Sequence, residues 1–91
     1  MSKKGEEKSR EQESRQEKIS PEIAKRLEKA QAEANRHIKN NDYKAGAEVY
    51  LETAKYLESK GYKEMGASTR VMAAQLYLQA RDWDSAAKIY E

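Results

Sequence analysis

An internal repeat with a period of forty residues constrains this chain more than any other feature of its sequence. Residues 32–51 read AEANRHIKNNDYKAGAEVYL, and residues 72–91 read MAAQLYLQARDWDSAAKIYE. Four aligned positions are identical: Ala34/Ala74, Asp42/Asp82, Ala47/Ala87 and Tyr50/Tyr90. Others match in size, as Tyr43 matches Trp83 and Gly46 matches Ala86. A fixed period in this range is typical of stacked helical units, because each unit buries its apolar face against the next.

Apolar residues at spacings of three and four predict four helices, at about residues 21–40, 43–60, 63–80 and 83–91. Ser20, Asp42 and Asp82 are suited to cap three of them, because a short polar side chain accepts a hydrogen bond from a free amide of the first turn. Gly61 can take the left-handed conformation that ends a helix. No segment alternates with the period of two that a strand requires. The sequence therefore predicts an all-α fold, an antiparallel array of helix hairpins over residues 19–91.

The first 18 residues differ from this body, since they contain no aliphatic or aromatic side chain beyond Met1. A segment of this composition cannot bury enough surface to offset the entropy lost on ordering. We therefore expect residues 1–18 to be a disordered charged tail.

The second copy of the repeat resembles the tetratricopeptide repeat. It reads Asp-Trp-Asp-Ser-Ala-Ala-Lys-Ile-Tyr over residues 82–90, and Ala74 and Tyr77 lie in the helix before it. The period of forty is similar to that of the longer, tetratricopeptide-like repeats of the soluble NSF attachment proteins. The resemblance covers about residues 23–91, although Glu33 stands where the family prefers a large apolar residue. It implies a segment of a right-handed superhelix that acts as a protein-interaction scaffold.

The first two helices, over residues 27–57, also resemble part of the MIT domain. That domain is a three-helix bundle that binds helical tails of membrane-remodelling proteins. The second aspartate–aromatic pair, Asp82-Trp83, favours the tetratricopeptide repeat, because a three-helix module has no need of it. An unrelated helical bundle is the remaining alternative.

In the tetratricopeptide family, the first helix of each pair lines a concave face. On this sequence that face would comprise Gln31, Asn35, Ile38, Lys39, Val71, Gln75, Leu78 and Gln79. A polar surface with interspersed aliphatic residues suits an amphipathic peptide or helix. Some members of the family clamp a carboxylate with paired Lys and Asn, but Gln31 and Met72 stand at two of those positions here. The resemblance therefore implies an adaptor for a peptide or helix, without carboxylate recognition.

Catalysis has little support in the sequence. There is no cysteine, and His37 is the only histidine. His37 aligns with Tyr77, so we expect it to be a partly buried packing residue. A general base or a zinc site needs partners that one histidine lacks, and no glycine-rich phosphate loop is present. We expect no enzymatic activity, no metal and no cofactor.

The charges and the apolar runs bear on location and on other classes of partner. The longest apolar run, residues 71–74, is too short for membrane insertion, and no secretory signal is visible, so we expect a cytoplasmic protein. The 18 basic and 16 acidic residues are interspersed, which disfavours nucleic acid. An RNA-binding adaptor remains an alternative that would use Lys3, Lys4, Lys8, Arg10 and Arg15. A structural subunit of a larger assembly is another.

Two expectations concern the C-terminal end. Trp83 should be buried between the third helix and the turn before the fourth, as a large aromatic residue in an inward stripe. No stop signal follows Tyr90, so the chain would be a fragment of a longer array or have this face covered by another molecule. We expect Ile89 and Tyr90 to form an apolar patch for self-association or docking, with a homo-oligomer as one outcome.

Overall fold

The computed structural model describes residues 19–91, so the expectation of a disordered tail at residues 1–18 lies outside the described residues. Four helices follow one another: α1 (Pro21–Lys39), α2 (Tyr43–Ser59), α3 (Lys63–Gln79) and α4 (Trp83–Tyr90). Each begins at the predicted residue and ends one residue before the predicted end. Within residues 19–91 there is no strand. Close packing joins α1 to α2, α2 to α3 and α3 to α4, which confirms an all-α array.

The three turns between the helices repeat one backbone motif every twenty residues. The residue after each C-cap has a positive φ: 63° at Asn41, 92° at Gly61 and 63° at Arg81. The next amide donates to the carbonyl five residues back, at 2.8 Å (Asp42 to His37), 2.9 Å (Tyr62 to Leu57) and 2.8 Å (Asp82 to Tyr77). These are the bonds of the Schellman motif, which satisfies the last carbonyls of a helix. The sequence predicted this conformation only at Gly61.

The residue that closes each turn also begins the next helix. The Asp42 carboxylate accepts a hydrogen bond from the amide of Ala45 at 3.2 Å, and that of Asp82 accepts one from Ser85 at 3.3 Å. Ser20 caps α1 in the same way, with 3.2 Å to the amide of Ile23, so the three predicted caps are confirmed. Because one residue serves both helices, each turn is short, and consecutive helices run antiparallel.

Small residues on either side of each turn let the helices approach closely. A Cβ atom built on Gly46 would lie 3.5 Å from the carbonyl oxygen of Ala34, and one on Gly66 would lie 3.2 Å from that of Ala54. Ala74 and Ala86 stand in the same register around the third turn, and both are buried. The helix pairs therefore cross at points where side chains are nearly absent.

An ion pair ties α2 to α3 beside the tightest of these crossings. The Arg70 guanidinium donates to both carboxylate oxygens of Glu58, at 2.6 Å from Nε and 2.8 Å from Nη2. These hydrogen bonds hold the pKa of Glu58 below its usual value. Gly66 lies one helical turn before Arg70, and a Cβ atom built on it would lie 2.6 Å from Cγ of Glu58, so the glycine leaves room for the side chain that makes the ion pair.

The core is a thin line of small side chains rather than an enclosed centre. One cluster joins Ala34, Tyr50 and Ala73, and a second joins Ala47, Tyr77 and Ala86. Leu51, Leu76 and Ile89 pack against both clusters. Among the described residues, Leu57 is the largest side chain that is fully buried. The array consequently has two ends, one on the α1 side and one on the α4 side.

We predict opposite effects for alanine at two helical glycines. In Gly66→Ala the new Cβ would lie 2.6 Å from Cγ of Glu58, so we expect the free energy of unfolding to fall by about 1–3 kcal/mol. In Gly46→Ala every new contact is 3.4 Å or longer, so we expect a gain of up to about 1 kcal/mol from helix propensity. Urea denaturation measures both. Equal effects of the two substitutions would contradict the close crossing at Gly66.

We also predict that Arg81→Gly stabilises the protein. A non-glycine residue at a φ of 63° is strained by about 1–2 kcal/mol. Glycine relieves this strain, but it also raises the conformational entropy of the unfolded chain, which offsets part of the gain in stability. We expect a net gain of about 0.5–1 kcal/mol in urea denaturation. Arg81→Ala is the control, since it removes the same charge but keeps the strained Cβ. A similar gain from both variants would show that charge, and not backbone strain, is responsible.

Candidate binding surfaces

A groove of about 190 Å³ lies between α1 and α3. Its lining residues are Ile38, Tyr50, Met72, Gln75, Leu76 and Gln79. Tyr50 is buried and Leu76 is half-buried, whereas Met72 and the two glutamines are exposed. The groove therefore combines an apolar floor with side-chain amides at its edge.

The structure brings together three residues of the predicted concave face in this groove: Ile38, Gln75 and Gln79. The other five do not line it. Three are exposed on α1 (Gln31, Asn35 and Lys39), and two are exposed on α3 (Val71 and Leu78). The binding role of these five residues stays a prediction, and a binding site in the groove does not require it.

Sequence reasoning placed Met72 at a carboxylate-clamp position of the concave face but did not include it among the residues expected to bind a partner. Met72 is 41% exposed, since the core side of α3 is occupied by Ala73, Ala74 and Tyr77. The helical spacing could have identified Met72 as a groove residue, because residues 72, 75, 76 and 79 form one stripe along α3.

A second groove, of about 660 Å³, lies between α1 and α2, at the α1 end of the array. Its lining includes six ionisable side chains of both signs: Arg26, Lys29, Glu33, His37, Glu48 and Glu52. His37 is half-buried there, as its alignment with Tyr77 predicted. In the part of the chain that the structure describes, no group of three or more His, Asp or Glu side chains could hold a metal ion. We call this surface the charged end.

Four large apolar side chains are exposed on the last two helices, α3 and α4. Trp83 is 60% exposed and Tyr90 is 59% exposed on α4, and Val71 and Leu78 are exposed on α3. Ala87 is also exposed. We call these five residues the outer face.

The prediction that Trp83 is buried is wrong. Trp83 is the first residue of α4, and among the four helices α4 packs closely only against α3. Within residues 19–91, the side of α4 that points away from α3 therefore has no neighbour to cover the indole. Ile89 also differs from expectation: it is half-buried against the two core clusters, so the exposed apolar surface of α4 comes from Tyr90 and Trp83.

The repeat shows that the outer face is a second copy of a surface that is covered elsewhere. Tyr50 is 9% exposed whereas its counterpart Tyr90 is 59% exposed, and Ala47 is fully buried whereas Ala87 is exposed. The covering helix in the first copy is α3, whose Ala73 joins the cluster of Tyr50 and whose Tyr77 joins that of Ala47. The same residue pattern is thus buried once and left open once.

The comparisons with family models, with curated proteins and with solved structures find no match for this chain. No helix of residues 19–91 has both the length and the hydropathy needed to cross a membrane. The resemblance to the tetratricopeptide repeat stays an expectation from the sequence pattern.

We predict that Trp83→Ala has a small effect on stability. For a side chain that is 60% exposed, the expected loss is below about 1 kcal/mol, rather than the roughly 3–5 kcal/mol of a buried aromatic residue. Tyr50→Ala is the control, because Tyr50 is a buried aromatic residue of the aligned segment. Urea denaturation followed by circular dichroism measures both. A loss in Trp83→Ala as large as that in Tyr50→Ala would contradict the exposed position of the indole.

Proposed function

We propose that this chain is a non-catalytic, cytoplasmic protein-interaction adaptor of tetratricopeptide-like architecture that binds an amphipathic peptide or helix. The groove between α1 and α3 is its binding site. The observation that supports this proposal is the stripe of Met72, Gln75, Leu76 and Gln79 along α3, which faces Ile38 of α1 across the groove.

The size of the groove favours a peptide over a small ligand. Its volume of about 190 Å³ is below the roughly 300–1,000 Å³ of pockets that enclose small molecules. A cavity of this size suits individual apolar side chains presented by a larger partner. An amphipathic helix presents such side chains at spacings of three, four and seven residues.

The polar groups of the groove suit the edges of such a partner. Gln75 and Gln79 each carry a side-chain amide that both donates and accepts hydrogen bonds. Neither residue carries a charge, so the groove selects a partner by shape and hydrogen bonding rather than by net charge. Ile38 and Met72 supply the apolar contacts, and methionine adapts its shape to different partners.

A second candidate function is that of a structural subunit of a larger assembly. The exposed Trp83 and Tyr90 of the outer face favour it, because aromatic residues are enriched where interfaces form. The two functions differ in the surface that they use, which makes them separable by substitution. The RNA-binding alternative rests on residues 1–18, outside the described residues.

We predict that peptides selected from a displayed library against the full chain bind in the groove. Met72 and Leu78 are a matched pair, because each is 41% exposed and both lie on α3. Met72→Lys, in the groove, should weaken binding at least about tenfold, as expected for a contact near the centre of an interface. Leu78→Lys, on the outer face, should leave the affinity within about twofold. Fluorescence anisotropy of labelled peptides measures both.

Circular dichroism of the two variants controls for folding. If the selected peptides bind Met72→Lys as well as the parent chain, the groove is not the site. If they lose affinity only for Leu78→Lys, the outer face is the main interaction surface, and the structural-subunit function replaces the adaptor function.

A further inference from the structure

We infer that the outer face is a docking surface for one helix of a partner protein that carries the residue pattern of α3. This inference does not depend on the groove between α1 and α3, since the outer face lies at the α4 end of the array. It rests on the way in which the chain covers the equivalent surface in its own first repeat.

The covered copy of the surface shows what kind of helix fits. Ala73 of α3 packs in the cluster of Tyr50, and Leu76, three residues later, packs against that cluster. Tyr77 packs with Ala47 in the neighbouring cluster. A small residue opposite the tyrosine lets the two helices approach, and the larger residues fill the space on either side.

The outer face continues this established interface by one repeat. Tyr90 corresponds to Tyr50, and Ala87 corresponds to Ala47, each forty residues further along the chain. Leu78 likewise stands for Ile38, which shares a groove with Met72 and Leu76 of the covering helix. The matching partner helix therefore has an alanine or glycine opposite Tyr90, an aliphatic residue three positions later and an aromatic residue one position after that.

A second copy of this chain, added head to tail, does not supply such a helix. In that arrangement α1 of the second copy would take the place of α3, with Glu33 at the position of Ala73 and Arg36 at that of Leu76. Burying these charges against Tyr90 without partners would cost several kcal/mol. The charged end therefore does not match the outer face.

Residues 1–18 do not supply the helix either, because they contain no aliphatic or aromatic side chain beyond Met1. Residues 1–91 thus offer neither a free segment nor a complementary end for the outer face. The occupant that fits the pattern is a partner helix with the small, aliphatic and aromatic residues of α3.

The extent of the outer face fits one helix that binds reversibly. Trp83 and Tyr90, at 60% and 59% exposure, each leave part of the roughly 150–250 Å² that an aromatic residue can bury. With Val71 and Leu78 the patch reaches a few hundred Å², which is typical of functional patches but below the roughly 800 Å² per partner of a standard stable interface.

The direct test uses a synthetic peptide of residues 62–80, held helical by a hydrocarbon staple on the side that is exposed in α3. Trp83 is the only tryptophan of the chain and is absent from the peptide, so its emission reports on the outer face alone. We expect a saturable blue shift of Trp83 emission when the peptide is added to the full chain. The same peptide with Ala73→Arg should bind at least about tenfold more weakly, because arginine does not fit against Tyr90.

Substitutions in the chain separate this site from the groove. Tyr90→Lys and Leu78→Lys should each weaken peptide binding at least about tenfold, whereas Met72→Lys should leave it unchanged. Loss of binding in Met72→Lys alone would place the peptide in the groove and overturn the inference. A failure of the groove proposal would leave the result for Tyr90→Lys intact.

Two further measurements make a negative result decisive. In a chain that repeats residues 52–80 after Glu91, the covering helix is present at high local concentration, and we expect a blue-shifted Trp83 emission and a higher Tm. If neither this chain nor the peptide changes the emission, the inference is wrong. It is also wrong if sedimentation equilibrium over a hundredfold concentration range shows a dimer that Tyr90→Lys abolishes, since the outer face would then bind a second copy.

Discussion

The close approach of neighbouring helices at pairs of small residues is the contact on which the rest of this structure depends. The pairs Ala34–Gly46, Ala54–Gly66 and Ala74–Ala86 stand twenty residues apart and flank three turns with the same hydrogen bonds. Because the helices nearly touch there, little apolar volume is enclosed, and Leu57 is the largest side chain fully buried in the described part of the chain. The outcome is a row of helices with a thin core and two ends.

The two ends of the row of helices differ in chemistry, and each therefore suits a different environment. The charged end carries acidic and basic side chains of α1 and α2 around a wide groove, which water can solvate. The outer face exposes Trp83 and Tyr90 at the other end. A repeat array is stable in solution when its last apolar surface is either capped or bound. The chain thus has one end suited to solvent, one end suited to a partner, and a groove between α1 and α3 in the middle.

Local features of the fold were predictable from the sequence, whereas features that depend on neighbouring helices were not. Helix bounds and the caps at Ser20, Asp42 and Asp82 follow from residues within one helical turn. The left-handed residues Asn41 and Arg81 were missed. Glycine is the strongest sequence signal for that conformation, asparagine is a weaker one and arginine is none; the turn has the same hydrogen bonds at all three positions.

The candidate sites also combine features that the sequence predicts with features that depend on neighbouring helices. The resemblance to the tetratricopeptide repeat implied one face for Ile38, Gln75 and Gln79, and these residues do line one groove. Trp83 was assigned to the core because it is a large aromatic residue in an inward stripe, yet burial depends on whether another helix lies opposite, and among residues 19–91 none does. The alignment identified the equivalence of Tyr50 and Tyr90 correctly, but it could not show that only the first of them has a covering helix.

The four helices form an open row and do not close around a common core. Nuclear Overhauser effects in the free protein distinguish the open row from a closed bundle. In an open row we expect contacts from the Tyr50 ring to the methyl group of Ala73 and from Ala47 to the Tyr77 ring, with none from the rings of Trp83 or Tyr90 to any residue of α1. Contacts between either of those rings and α1 would show a closed four-helix bundle and would rule out the open row.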